Sequence, residues 1–378
     1  MKSYQIMCFI GNGFDINVLN KYGKGITTSY ESFYHFFGYK YPARKDNLLI
    51  QQMKEAKKEG KKNWSDFEAL LNEILQNIVE SDKLKIEQLN KDLNEIQRAF
   101  SEFLNDIIDD DVIGKISYAS EILRTKDDAI TKENYTIYSL SHFLSDLSDE
   151  QYNKMHFHNG IDNGDSLKYI FLNLNYTALL DNYLYLDKKI FDPEPYIYSE
   201  NNFKFMSNPN LLKNHQGYSD PLLKLEPIEV LHPHGYQDIP KSLLFGIESE
   251  TYNKPRDKRK VFVKSIWAQS KKRYENLFKT TSLFIIYGCS LGESDSWWWK
   301  RIFDRLIDDD PAELIIYHYG NETADVIKDR FISSCQLENI SDLMCKKGKE
   351  NIYIINFGSN NLKNVVYLDL PELSSAKG

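Results

Sequence analysis

Short, almost wholly apolar runs that end at glycine or a polar turn and give way to helical patterns constrain this chain most. They stand at YQIMCFI (4–10), LKYIFLNLNY (167–176), IEVLHPHG (228–235), SLFIIYG (282–288), ELIIYHY (313–319) and NIYIINF (351–357). A strand with no alternating polar face is one buried on both sides, as in a parallel sheet covered by helices. Gly288 precedes SDSWWWKRIFDRLI and Gly320 precedes ADVIKDRFISSC, so strand, turn and helix alternate. This order predicts an α/β fold with a doubly wound, mostly parallel sheet.

Residues 45–150 depart from that alternation. WSDFEALLNEILQNIVE and KIEQLNKDLNEIQRAFSEFLNDII carry apolar residues at helical spacing, dense charge and no proline. They read as a helical insertion between the first two core strands of a single α/β domain spanning 1–378. Residues 189–225, rich in Pro, Asn, Ser and Tyr, read as a loop excursion.

A hydrophobic content of 42% with 27% charged residues supports a sizeable core in a globular chain. No apolar run approaches the length of a bilayer span. The N-terminal apolar stretch runs into a glycine turn with no small-residue cleavage site, as expected of a buried strand and not a signal peptide. Cys8, Cys289, Cys335 and Cys345 show no CxxC spacing and suit free thiols in a reducing cytoplasm. A net charge of −8 makes nucleic acid an unlikely partner. The local exception, KPRDKRKVFVKSIWAQSKKR (254–273), is either solvated surface or a phosphate-binding rim.

Four stretches carry candidate chemistry. In GNGFD (11–15), Gly11 and Gly13 permit a sharp turn that brings N–H groups to a ligand, whereas Ile16 stands where a third glycine is usual. Asp15 there is either a helix cap or a ligand contact. In LNLNYTALLDNYL (172–184), Asn175 follows a strand, either to cap the next helix or to orient a sugar hydroxyl or a water. In LHPHG (231–235), His232 and His234 are candidates for a general base, for metal ligands or for plain hydrogen-bonded histidines; HFH (156–158) is a second such pair. In YGCSLGESDSWWW (287–299), Ser290 and Asp295 are candidate ribose contacts, and at least two of Trp297 to Trp299 are expected in the core.

Taken in order, GNGFD, TSYESFYHFF, WSDFE, LNLNYT, HPHG, FGI, KS and YGCSLGESD resemble the bacteriophage abortive infection AbiH family, from Gly11 to Asp295. That family is similar in turn to sirtuin-like, Rossmann-type NAD-binding proteins. The resemblance implies that Gly11, Asn12 and Gly13 form a first phosphate loop, that Asn175 and His234 are catalytic, and that Gly288 with Ser290 closes over the nucleotide. Two departures stand out. An acid at Asp15 would repel a pyrophosphate and instead suits a ribose hydroxyl. The zinc-ribbon cysteines of protein deacylases are missing, which favours simple hydrolysis of NAD.

The expected activity is therefore an antiphage, cytoplasmic NAD glycohydrolase that takes NAD as substrate, uses no further cofactor or metal and has no membrane partner. A homo-oligomer or a regulatory partner protein is left open. Two rivals remain: a nucleotide-sensing or partner-binding module without turnover, and a metal-dependent nuclease or phosphohydrolase built on His232 and His234.

Overall fold

Strand β1 (Ser3–Ile10) is buried at every residue from Gln5 onward. Successive side chains of a strand point to opposite faces. Ile6, Cys8 and Ile10 accordingly join one core with Val18, Ile116 and Tyr183, and Met7 and Phe9 join another with Phe278, Trp298 and Ile302. This is why the run has no polar side. The computed structural model describes residues 1–44, 46–61, 64–124, 133–185, 202–206, 220–248, 252, 254, 256–338, 340–358 and 364–373.

The remaining strands are β2 (Leu123–Arg124), β3 (Glu133–Asn134), β4 (Ser166–Asn173), β5 (Asn202–Lys204), β6 (Leu222–Leu225), β7 (Glu229–Leu231), β8 (Thr281–Tyr287), β9 (Glu313–Tyr319) and β10 (Ile352–Phe357). β2 and β3 form a separate antiparallel pair. The others make one sheet in the order β10-β9-β8-β1-β4-β6-β5, with β7 also paired to β4. Every pairing in that sheet is parallel except β5 with β6. If β6 and β7 count together as the third parallel strand, the order along the chain is 3-2-1-4-5-6. The winding reverses between β1 and β8. The expected loop excursion at 189–225 lies largely outside the described residues, and its described parts supply β5 and β6.

Helices α1 (Asn12–Tyr22), α2 (Tyr30–Lys40), α3 (Leu48–Lys58), α4 (Phe67–Asn77), α5 (Lys83–Ile107), α6 (Asp110–Glu121), α7 (Tyr135–His142) and α8 (Asp149–Lys154) lie between β1 and β4. They divide by destination. Residues of α1, α6 and α7 pack in the sheet core around Cys8. Those of α2 to α5 instead build their own cluster around Phe33, Leu71, Phe100 and Phe103. This helical lobe is closed by Tyr176, Leu243, Phe245, Phe262 and Val263, which come from the carboxyl edge of the sheet and the loops beyond it. α9 (Leu179–Leu184), α10 (Lys264–Trp267), α11 (Ser270–Lys279), α12 (Ser296–Leu306), α13 (Ala324–Ser334) and α14 (Asp342–Glu350) complete the chain. Residues of α11, α12 and α13 cover the second face of the sheet. Among the described residues no helix is long and apolar enough to cross a membrane.

Candidate functional site

The parallel register sets Ile10 of β1 opposite Asn173 of β4 and Tyr287 of β8. Three chain segments therefore leave the sheet side by side, at the point where the winding reverses. The Gly11 N–H donates to the Tyr287 carbonyl and the Gly13 N–H to the Gly288 carbonyl, each at 2.9 Å. A Cβ on Gly11 would stand 2.6 Å from the Gly288 oxygen, and one on Gly13 2.7 Å from the Gly288 Cα. Gly288 itself adopts φ +69°, in the left-handed region that favours glycine. These glycines let two turns touch, so two amides expected to face phosphate are already engaged. Asn12 is the exposed member of the trio, with its side chain bonded to Thr28.

Asp15 does not cap α1, whose N-cap is Gly11. It is fully buried. Its Oδ1 accepts from Asn175 Nδ2 at 3.0 Å and its Oδ2 from Thr177 Oγ1 at 2.8 Å. Burial pushes this carboxyl up to about 7, although the bonds from Thr177 and Asn175 favour its ionised form. Asn175 is not a helix cap either, since α9 begins at Leu179. Its second amide hydrogen goes to the Gly11 carbonyl at 3.1 Å. With both hydrogens of Nδ2 directed inward, Oδ1 is the side-chain atom left to accept from outside. Asn173 builds the loop: its Oδ1 takes the Asn175 N–H at 3.1 Å and its Nδ2 donates to the Thr177 carbonyl at 3.2 Å. Most of LNLNYT is thus a single hydrogen-bonded device around Asp15.

His234 stands next to it. Its Nδ1 is 3.0 Å from the Leu174 carbonyl, which can only accept, so Nδ1 carries the proton. Gly235, at φ +95°, packs so closely on Ser242 that a Cβ would meet the Ser242 oxygen at 2.0 Å, which fixes the backbone just after the imidazole. Nε2 has no hydrogen-bond partner among the described residues and lies 3.3 Å from Asp295 Oδ1. The same oxygen accepts from Lys264 Nζ at 3.2 Å, and Lys264 Nζ is 2.6 Å from Glu68 Oε1. Burial works to raise the Asp295 carboxyl, but Lys264 and His234 outweigh it and hold that acid well below the usual range. Burial disfavours the Lys264 charge, yet Asp295 and Glu68 keep its ammonium above the ordinary lysine value. Glu68 is raised by burial, which Lys264 only partly offsets.

A family model described as Bacteriophage abortive infection AbiH matches residues 7–318. The chain belongs to the AbiH family. Antiphage abortive infection is accordingly the setting in which this site belongs. No curated protein and no solved structure matches the chain.

In this AbiH protein the other candidates fall into place by position. Gly288, Asp295, Asn175 and His234 converge at the carboxyl edge, and Ser290 lies exposed on the turn between Gly288 and Asp295. Trp298 and Trp299 are buried against Phe9, whereas Trp297 is only partly covered and lies beside Arg301. His232 Nε2 pairs with Asp181 Oδ1 at 3.0 Å, so LHPHG holds two histidines with different partners. HFH sits at the opposite edge: the His156 and Phe157 amides bind Glu313 at the start of β9, and His158 stacks on Tyr152. Among the described residues no three His, Cys, Asp or Glu side chains form a group able to hold a metal ion.

The basic run 254–273 splits three ways. Arg259 grips Asp257 and the Ile78 carbonyl, Lys264 enters the site, and Lys271 to Arg273 stay exposed. Lys264 and Glu68 are the site residues that sequence reasoning passed over, although KS and WSDFE were both among the recognised motifs. A signal existed for Glu68. Asp66 caps α4 by accepting from the Ala69 N–H, which fixes Phe67 in the lobe core and leaves Glu68 in the first turn, where a carboxylate is favoured.

Proposed function

We propose that this AbiH protein hydrolyses the bond between nicotinamide and ribose in NAD. The observation that carries the reading is the meeting of Asn175 and His234 where the sheet reverses. Asn175 bonds the turn after β1 across 164 positions, and His234 bonds the residue before Asn175 across 60. An order of 3-2-1-4-5-6 is the one in which open sheets bind dinucleotides at the reversal, beyond the strand carboxyl ends. It favours a sirtuin-like arrangement, with NAD entering as substrate.

Loss of nicotinamide leaves an oxocarbenium-like ribose, so orientation and delivery of water matter more than a strong nucleophile. The C1′–N bond breaks with its electron pair passing to the pyridinium nitrogen, which becomes neutral. Asn175 Oδ1, an acceptor, holds a ribose hydroxyl or the attacking water. The water oxygen bonds to C1′, and its proton passes to Nε2 of His234 in the neutral form of the ring, Nδ1 being bound to the Leu174 carbonyl. The resulting imidazolium faces Asp295. Asp15 acts through Asn175, keeping Nδ2 inward and Oδ1 outward. Asn12 and Ser290, exposed on the two touching turns, are the contacts expected for the diphosphate and the rest of the nucleotide.

The test is release of nicotinamide from NAD by the purified full-length chain. Asn175→Ala and His234→Ala are each expected to lower kcat by about 10²–10⁴. Wild-type protein that binds NAD and returns it intact supports the sensing module in place of the enzyme. Turnover retained in both variants removes the two assigned roles.

A further inference from the structure

Glu68, His234, Lys264 and Asp295 come from four separate stretches of the chain, yet they form one continuous line of polar contacts. Glu68 belongs to α4 of the helical lobe, Lys264 opens α10, Asp295 precedes α12 and His234 follows β7. We propose that Glu68 and Lys264 are positioning residues through which the helical lobe holds Asp295 against His234, so that the imidazole is set for its work only while that lobe is docked. The proposal rests on the role given to His234 above.

Three observations support it. First, one oxygen serves two partners: Asp295 Oδ1 faces Lys264 Nζ at 3.2 Å and His234 Nε2 at 3.3 Å. If Lys264 moves, the oxygen opposite the imidazole moves with it. Second, Lys264 is set from the lobe side. A parallel bridge joins Ile247 to Val263, the Lys264 N–H donates to Ile247 at 2.9 Å, and Gly246 permits the approach because a Cβ would stand 2.5 Å from the Phe262 oxygen. Phe245, Ile247, Phe262 and Val263 all lie in the lobe cluster. Third, the lobe grips the segment that follows His234. Ser101 of α5 donates to the Gln237 carbonyl and Gln97 to the Leu243 carbonyl, each at 2.6 Å. The lobe therefore touches both ends of the line.

A buried pair of this kind is weak evidence for stability, because desolvation offsets much of its attraction. Its better use is to fix a geometry. The charged and titratable groups around the imidazole are Asp295 in front, Lys264 behind it, Tyr176 with its ring 6.4 Å away, and Glu68 and Glu248 beyond Lys264. Asp15 and the His232–Asp181 pair lie on the sheet side.

The experiment is an NMR titration of His234 in isotope-labelled full-length protein, read beside nicotinamide release. Glu68→Gln, nearly isosteric, removes one negative charge from the line and is expected to lower the His234 midpoint by about half a pH unit or more. Lys264→Met, which releases Asp295 from the imidazole, is expected to lower it as well, against the rise that loss of a cation alone would bring, and Lys264→Arg to keep it near that of the parent. A midpoint unmoved in folded Glu68→Gln protein overturns the proposal, as does a rise in folded Lys264→Met protein. Should Lys264→Met fail to fold, Glu68→Gln and Lys264→Arg carry the test. Where the parent turns over NAD, the pH profile of kcat/KM should follow the NMR shift in Glu68→Gln. A parent that releases no nicotinamide refutes the reaction, and the titration still judges the clasp.

Discussion

Asp15 explains at the scale of one side chain why an acid occupies a glycine turn. Its two oxygens are the acceptors that Asn175 and Thr177 share. Its carboxyl ionises near 3.8 in an unperturbed chain and is pushed by burial up to about 7 in the folded protein. The folded state therefore binds more protons than the unfolded state between these limits. Its contribution to stability is fully present below about 4 and is lost as pH rises to about 7, by an amount on the order of a few kcal/mol. Asp15→Asn is expected to flatten that part of the curve and to melt above the parent at pH 8. Melting temperatures across pH 4–8 check this. The same variant is expected to lose activity, because an amide at 15 no longer dictates which way the Asn175 amide faces. Asp295 has the opposite sign. Its carboxyl is held low, so its contribution is present above the ordinary carboxylate range and lost as pH falls through that range and below it.

Among elements, the decisive contact is between the turn after β1 and the turn after β8. It consists of backbone on backbone, and it needs Gly11, Gly13 and Gly288 together. A methyl group at Gly288 meets the Phe14 nitrogen at 2.8 Å and also forces φ +69° on a residue with a side chain. Gly288→Ala is expected to cost about 2–4 kcal/mol in a denaturant melt, more than an ordinary loop glycine, because strain and clash act at once. Gly25→Ala is the control, at a similar φ but with nothing within 4 Å of the added atom, and is expected to cost less.

The whole molecule is two cores sharing one sheet, with a third core of helices leaning on the sheet's carboxyl edge. Phe100 ties the third core together, packing on Phe33, Phe103, Tyr176 and Phe245. Phe100→Ala is expected to cost about 3–5 kcal/mol. Hydrogen exchange should show the loss concentrated in α2 to α5, with β1 and β8 still protected, because those strands are buried among other residues. A uniform loss across the sheet would mean that the lobe and sheet unfold as one unit. Since Tyr176 follows Asn175 directly, loosening the lobe should also lower activity.

What the sequence determined by itself was the sheet. Runs such as FIIY and LIIYHY are apolar on both faces, and only a covered parallel strand suits them, so β1, β4, β8, β9 and β10 were legible to within three residues at either end. The positions of Asn175 and His234 at the carboxyl edge of the sheet were legible too, because each follows a strand. Tertiary structure decided what the polar residues do. Nothing local distinguishes Asp15 the cap from Asp15 the buried acceptor, or Lys264 from the eight other cations in its basic run. Their roles depend on partners some 160 and 200 positions away, Thr177 for Asp15 and Glu68 for Lys264. Apolar patterning records which face is covered; it carries no information about which charge will be found opposite another once the chain has closed.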